Sequence, residues 1–352
     1  MTTILPFLKE LISTSGLSGH EEAARRLIEP AWAPLTHELS TSRLGSLHGL
    51  RRGAGSEPRP SILLAAHMDA IGLMVTAIVD GYLRVTSVGG IDARVLPGQL
   101  VTVHGREDLP GLIAPPSAHL LPAHINAGAA PLDHLLVDTG RLPEEVQQLV
   151  RPGDLVSFAQ PPFETAGDTL VGHSLDNRAS VAVVTVCLEE LSKRPHLWDV
   201  WAVATTQEEV TLGGASTSGF ALRPTLAVAI DVTFASGPGS PSHKTFPMGK
   251  GPTLLWGPNT HPALFKAFKE LAERLEIPYA LETAPRHSGT DGFALQVVAE
   301  GIPNMVIGIP LRYMHTPVEM VAIKDITRAG RLLAEFIAQL DENFMDKLTW
   351  ED

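Results

Sequence analysis

The chain has 352 residues, 44% hydrophobic and 19% charged, an ordinary globular composition with length for a large core and two or three domain-sized units. A formal net charge of −12 leaves no basic stripe for a phosphate backbone, which excludes nucleic acid as a partner. No apolar run approaches the roughly 20 residues of a membrane span, and the single cysteine, Cys187, can form no internal disulfide, which fits a reducing cytoplasm.

Residues 1–12 read as a short amphipathic helix, without the basic start and long apolar stretch of a secretion signal. Two short helices and two strands are expected up to Asp69, the second strand being the apolar run 61–66 that leads into His67-Met68-Asp69. From 70 to 164 the pattern changes. Short pieces at 73–79, 82–86, 100–103 and 155–158 alternate with Asp80-Gly81, Gly89-Gly90, Pro97-Gly98 and Pro152-Gly153, which predicts a small barrel-like β domain. Within it, 115–128 is an irregular Pro- and Ala-rich loop with no chemistry to read. At about 165 the α/β pattern resumes. Asp176-Asn177-Arg178 precedes an apolar stretch, 179–191, long enough for a buried helix. The run 200–204 leads into Thr205-Thr206-Gln207-Glu208-Glu209, 226–230 ends on Asp231, and 305–310 leads to His315. Apolar stripes at 264–275 and 326–340 mark two amphipathic helices. The expected architecture is a three-layer α/β/α catalytic domain with a mixed, mostly parallel sheet. It is formed by 1–69 and 165–352, and the β unit of 70–164 is an insertion serving assembly or substrate access.

Near-continuous apolar runs describe strands buried on both faces, and in such sheets ligands gather at the strand carboxyl ends. Four of these runs end on or near a metal-ligating residue: His67, Glu209, Asp231 and His315. Nitrogen and carboxylate donors together suit zinc or cobalt. Asp176 opens a helix, where an aspartate often serves only as a cap, but among these four it is the candidate carboxylate between two metals. Charge supports two ions. Asp176, Glu209 and Asp231 bring three negative charges, which two divalent cations and one bridging hydroxide would balance. A single ion would leave a buried excess of negative charge. Glu208 and Glu209 are adjacent, and on an extended segment their side chains point to opposite sides. Glu209 is therefore read as a ligand and Glu208 as the general base that moves a proton from water to the leaving amine. Asp69 is placed to hold His67 through its other ring nitrogen.

The strings Ala66-His67-Met68-Asp69, Leu175-Asp176-Asn177-Arg178, Gln207-Glu208-Glu209-Val210, Ile230-Asp231-Val232-Thr233 and Arg312-Tyr313-Met314-His315-Thr316-Pro317-Val318-Glu319 resemble those of the glutamyl/leucyl di-metal aminopeptidases. These form large tetrahedral particles, and some carry the label endoglucanase. The resemblance spans nearly the whole chain, including Ser87-Val88-Gly89-Gly90 and Ser288-Gly289-Thr290-Asp291-Gly292. It implies His67 and Asp231 on one ion, Glu209 and His315 on the other, and Asp176 between them. It also implies Thr290 and Asp291 in the substrate cleft and a homo-oligomer of twelve chains built from dimers. Where relatives often carry lysine-alanine, this chain has His173-Ser174, and His173 stays outside the ligand set.

The expected function is metal-dependent removal of N-terminal residues from peptides, by a cytoplasmic enzyme holding two zinc or cobalt ions. Three rivals stand beside it. A di-metal amidase or deacylase of N-acyl compounds would use the same chemistry. A glycan-cleaving enzyme would need two opposed carboxylic groups and no metal. A non-catalytic peptide-binding protein would not need Glu208.

Overall fold

The computed structural model describes residues 4–117, 119 and 130–349. Most of the irregular loop noted at 115–128 lies outside them. Two bodies of β-structure organise the rest, a large open sheet and a closed barrel.

The apolar runs form the centre of the large sheet. Asp199–Thr205, Ser61–His67, Leu226–Phe234 and Asn304–Arg312 lie side by side and parallel, with His67 opposite Thr205 and Asp231 opposite Gly308. Antiparallel strands flank this core, so the sheet is mixed: Leu47–Arg51 and Glu38–Thr41 on one side, Glu319–Ala322, Thr169–Gly172 and Phe163–Thr165 on the other. Glu38–Thr41 has no place in the two-strand expectation because it is largely exposed and carries no apolar run.

Alternation along the parallel strands sends side chains to two helical layers. Leu64, Ala66, Val200, Ala202, Val228 and Ile230 pack with the helices Ile4–Ser13, Glu22–Trp32, Leu175–Leu191, Pro262–Arg274 and Ile323–Ala338. Leu63, Ala65, Val203 and Ala227 face the smaller pair Gly213–Leu222 and Asp291–Gln296. Of the two predicted stripes, Leu264, Phe268, Leu271, Ile326, Leu333 and Ile337 are buried, whereas Leu275 lies past its helix end and is exposed.

The barrel closes in the order Gly72–Val79, Tyr82–Val88, Leu136–Asp138, Asp108–Ala114, Leu100–His104 and Leu155–Phe158, around Leu73, Val75, Leu83, Val101, Val103, Ile113, Val137 and Val156. Asp80-Gly81 turns the first hairpin with both residues at positive φ, as a two-residue turn between Val79 and Tyr82 requires. Asp108–Ala114 contains Pro110 and Gly111 and is not among the strand pieces expected from sequence. The neighbouring strand Leu136–Asp138 pairs only with residues 112–114, so Pro110 needs no N–H on that side.

Candidate active site

The parity that builds the sheet also aims the site. His67 continues the series Leu63, Ala65, and Asp231 continues Ala227, Ala229, so both side chains project towards the small helical pair at the carboxyl ends of the strands. Leu226–Phe234 runs three residues past Asp231, which is buried within the strand.

The proposed ligands come together. His67 Nε2 lies 3.2 Å from Asp176 Oδ1, 3.6 Å from Glu208 Oε2 and 3.8 Å from Asp231 Oδ1. His315 Nε2 lies 3.3 Å from Asp176 Oδ2 and 3.5 Å from Glu209 Oε2. Asp176 thus presents one oxygen to each imidazole. It enters its helix through non-helical backbone (φ −79°, ψ 103°), which turns its carboxylate to the cluster. Two triplets place ligand atoms within 4.8 Å of one another: His67 with Glu208 and Asp231, and His67 with Asp176 and Glu209.

The adjacent glutamates do not diverge on an extended segment. Gln207 takes a left-handed conformation (φ 57°) and starts a helical turn, Glu208–Thr211. Successive side chains on a helix are only about 100° apart, so both carboxylates reach the cluster, with side-chain exposures of 9% and 5%. Distance alone brings Glu208 as close to His67 as Asp231. Asp69 organises this turn: its Oδ1 accepts the Glu208 N–H at 3.0 Å and its Oδ2 the Glu209 N–H at 3.2 Å. The same Oδ1 lies 3.3 Å from His67 Nδ1.

His315 follows its strand in a loop where Tyr313 and His315 both have positive φ. The barrel reaches this point through Gly89-Gly90. A Cβ on Gly90 would stand 3.0 Å from His315 Nδ1, so glycine is what lets this turn wall the site. Thr290 and Asp291 are both buried. Thr290 Oγ1 caps its helix by accepting the Gly292 N–H at 3.2 Å. Asp291 takes the Thr205 hydroxyl on Oδ2, and its Oδ1 has no partner among the described residues. His173 is buried away from the cluster, with Nδ1 2.6 Å from Ser174 Oγ, and burial pushes its imidazole down to about 3.

Sequence reasoning assigned nothing to three further residues. Glu21 Oε1 accepts the N–H groups of Gly19 at 2.7 Å and Gln207 at 3.0 Å, steadying the turn before Glu208. Arg178 is fully buried, donates to the carbonyls of Met68 at 3.1 Å and Leu11 at 2.6 Å, and its charge faces Asp69, Glu21 and Glu319. Glu319 is buried with its carboxylate on the backbone of Asp176 and His315. Arg178 and Glu319 have as their sequence signal only membership of the strings around Asp176 and His315, and Glu21 has none.

The charges of the cluster conflict when no cation is present. Burial, reinforced by neighbouring carboxylates, pushes Glu208 up to about 9 and Glu209 up to about 10. Burial likewise carries Asp231 well above its usual range and Asp291 to about 6. Burial also opposes ionisation of Asp176, but its bonds to His315 and His67 outweigh that and hold it at about 2. His67 is desolvated too, yet the charge of Glu208 and bonds to Asp176 and Asp69 keep its imidazolium favoured. Glu209 Oε1 is buried with no hydrogen-bond partner among the described residues. Crowded carboxylates, two imidazoles and an orphaned carboxylate oxygen fit divalent cations of the zinc class.

No helix among the described residues is long and apolar enough to cross a membrane. The profile of the M42 glutamyl aminopeptidase family matches residues 45–332. A lysyl aminopeptidase of Pyrococcus furiosus is 33% identical over 342 residues, covering 95% of this chain and 96% of the relative. The crystal structure of a TET aminopeptidase from a marine-sediment Thaumarchaeota archaeon superposes with a TM-score of 0.93 at 29% identity, covering 98% and 99% of the two chains. The TET1 peptidase of Pyrococcus horikoshii, which can assemble into a tetrahedron or a large octahedral shell, gives 0.83 at 27% identity, covering 96% and 100%. With the family profile matched across most of its length, the chain belongs to the M42 glutamyl aminopeptidase family and is a metal-dependent aminopeptidase.

Proposed function

We propose that this aminopeptidase cleaves the N-terminal peptide bond of peptides at a centre of two divalent ions, zinc or cobalt. His67 and Asp231 would hold one ion, Glu209 and His315 the other, and Asp176 would lie between them. The observation that carries this reading is the split carboxylate of Asp176, with its oxygens 3.2 and 3.3 Å from two different imidazoles. Bound ions would supply Lewis acidity, polarising the scissile carbonyl and lowering the pKa of water.

The protein's own residues do the rest. Glu208 takes a proton from the attacking water and returns it to the amide nitrogen as the C–N bond breaks. Asp69 acts twice, fixing the ring of His67 and capping the turn that carries Glu208. The α-amine of the peptide is held by a carboxylate of the cluster, which restricts cleavage to the chain end. Gly89-Gly90 brings the barrel against His315, so the unit 70–164 would limit access to the cleft as well as serve assembly. By likeness to the TET particles, the working form is a cytoplasmic homo-oligomer of twelve chains built from dimers.

The test is a panel of aminoacyl-anilides and one of N-acyl amino acids, each assayed with zinc, cobalt, manganese or a chelator. The first panel should be hydrolysed, and chelation should abolish the activity. Preference for the acyl compounds would make this a deacylase. Activity surviving full chelation would end the metal reading.

A further inference from the structure

We infer that Glu319 is a positioning residue whose single carboxylate holds Asp176 and His315 at the separation the second ion needs; this rests on the two-ion reading above. Glu319 is 2% exposed and starts the strand Glu319–Ala322, opposite Gly172. Its Oε2 accepts the Asp176 N–H at 3.0 Å and its Oε1 accepts the His315 N–H at 2.9 Å. One side chain therefore ties together two segments far apart in sequence, each through the main chain of a proposed ligand.

Both segments need such a tie. Asp176 has non-helical backbone at the mouth of its helix, and His315 sits at φ 62° in a loop. Neither conformation is maintained by a regular ladder, and a left-handed non-glycine residue persists only where its surroundings over-determine it. The Asp176 carboxylate and the His315 ring face each other at 3.3 Å, so a shift at His315 would open that half of the centre alone, while a shift at Asp176 would reach both halves through its two oxygens. The His315 half, which depends on both ties, loses more than the His67 half. Only an ionised carboxylate offers two acceptor oxygens and no donor. Glutamine would turn an NH₂ against one of the two amides. Burial and the charge of Asp176 push the Glu319 carboxyl upward, while the amides of Asp176 and His315 and the buried guanidinium of Arg178, shared with Asp69 and Glu21, favour its ionised form.

The experiment is an equilibrium zinc titration of the full-length oligomer, wild type against Glu319→Gln and Glu319→Asp, beside thermal unfolding of each metal-free protein. In Glu319→Gln one of the two ions should bind about 10–100 fold more weakly, as for other partners that orient ligands, while the other changes less. Excess zinc should restore most of the lost turnover. Glu319→Asp keeps the charge but is one methylene too short to span both amides. It should show the same selective loss, and it decides the matter if the glutamine variant does not fold. Two ions binding with wild-type affinity in a folded variant would overturn the inference. So would equal weakening of both ions in step with a lower metal-free unfolding midpoint, the mark of a merely structural role. Failure of the underlying two-ion reading would show separately, as wild-type protein that binds fewer than two ions.

Discussion

Removing the metal should make this protein's stability fall steeply as pH rises. In the cation-free cluster burial lifts Glu208 from its ordinary value of 4.5 to about 9 and Glu209 to about 10. The folded chain then keeps two protons that the unfolded chain has released, so their contribution is full below pH 4.5 and is lost as pH climbs towards the folded values. His67, favoured as imidazolium, acts in the same direction above its ordinary 6.5. Asp176, held at about 2, acts in the opposite direction but only below about pH 4. Each retained proton lowers stability by about 1.4 kcal/mol per pH unit. Two glutamates between pH 6 and 8 therefore cost about 5 kcal/mol, as much as the whole stability of many domains. With ions bound the trend should reverse, because ions replace those protons and bind more tightly as pH rises. The assay is denaturant unfolding at pH 6, 7 and 8, at constant ionic strength, with metal and with chelator. Glu209→Gln should flatten the chelated slope by about 1.4 kcal/mol per pH unit. A chelated protein whose midpoint is level or rises from pH 6 to 8 would refute the reasoning.

Two further outcomes are expected. Glu208→Gln should keep both ions and lose turnover by on the order of 10²–10⁴, while Glu209→Gln should lose metal along with activity. Metal analysis and kinetics on the pair decide it, and the reverse pattern would exchange their roles. Light scattering of the purified protein should report a particle of about twelve chains, the working form proposed above. A stable monomer at working concentration would remove the enclosed-particle idea and leave the chemistry standing.

The residues of the cluster could be picked from sequence where they end, or lie just beyond, an apolar strand; Asp176, which opens a helix, is the exception. A strand buried on both faces is spelled by an apolar run, and its alternation fixes which terminal residue looks into the cleft, as for His67 and Asp231. What could not be read is the backbone conformation that presents the others. Nothing in Gln207 announces a left-handed turn, so Glu208 and Glu209 looked like an extended pair rather than the start of a helix. Gly90 was legible as a turn glycine, but not its neighbour in space His315, which is far away along the chain.

The main-chain contacts of the supporting acids were illegible for a different reason, even at Asp69, which the sequence offered only as a support for His67. Asp69, Glu21 and Glu319 all grip main-chain N–H groups: those of Glu208 and Glu209, of Gln207, and of Asp176 and His315. A side chain that binds another side chain leaves two residue types to match, but every residue except proline offers an amide. Such partners leave no compositional trace. Their common counter-charge gives one: Arg178, fully buried among carbonyls, follows Asp176 by two positions. A buried arginine beside a proposed ligand calls for carboxylates nearby that are not themselves ligands. On that logic the acids around Arg178 hold the turns from which the proposed ligands project. Burial is outweighed at Asp69 by contact with His67, which keeps it below its ordinary range, but it lifts Glu21 and Glu319 above theirs, so the guanidinium matters most to the last two.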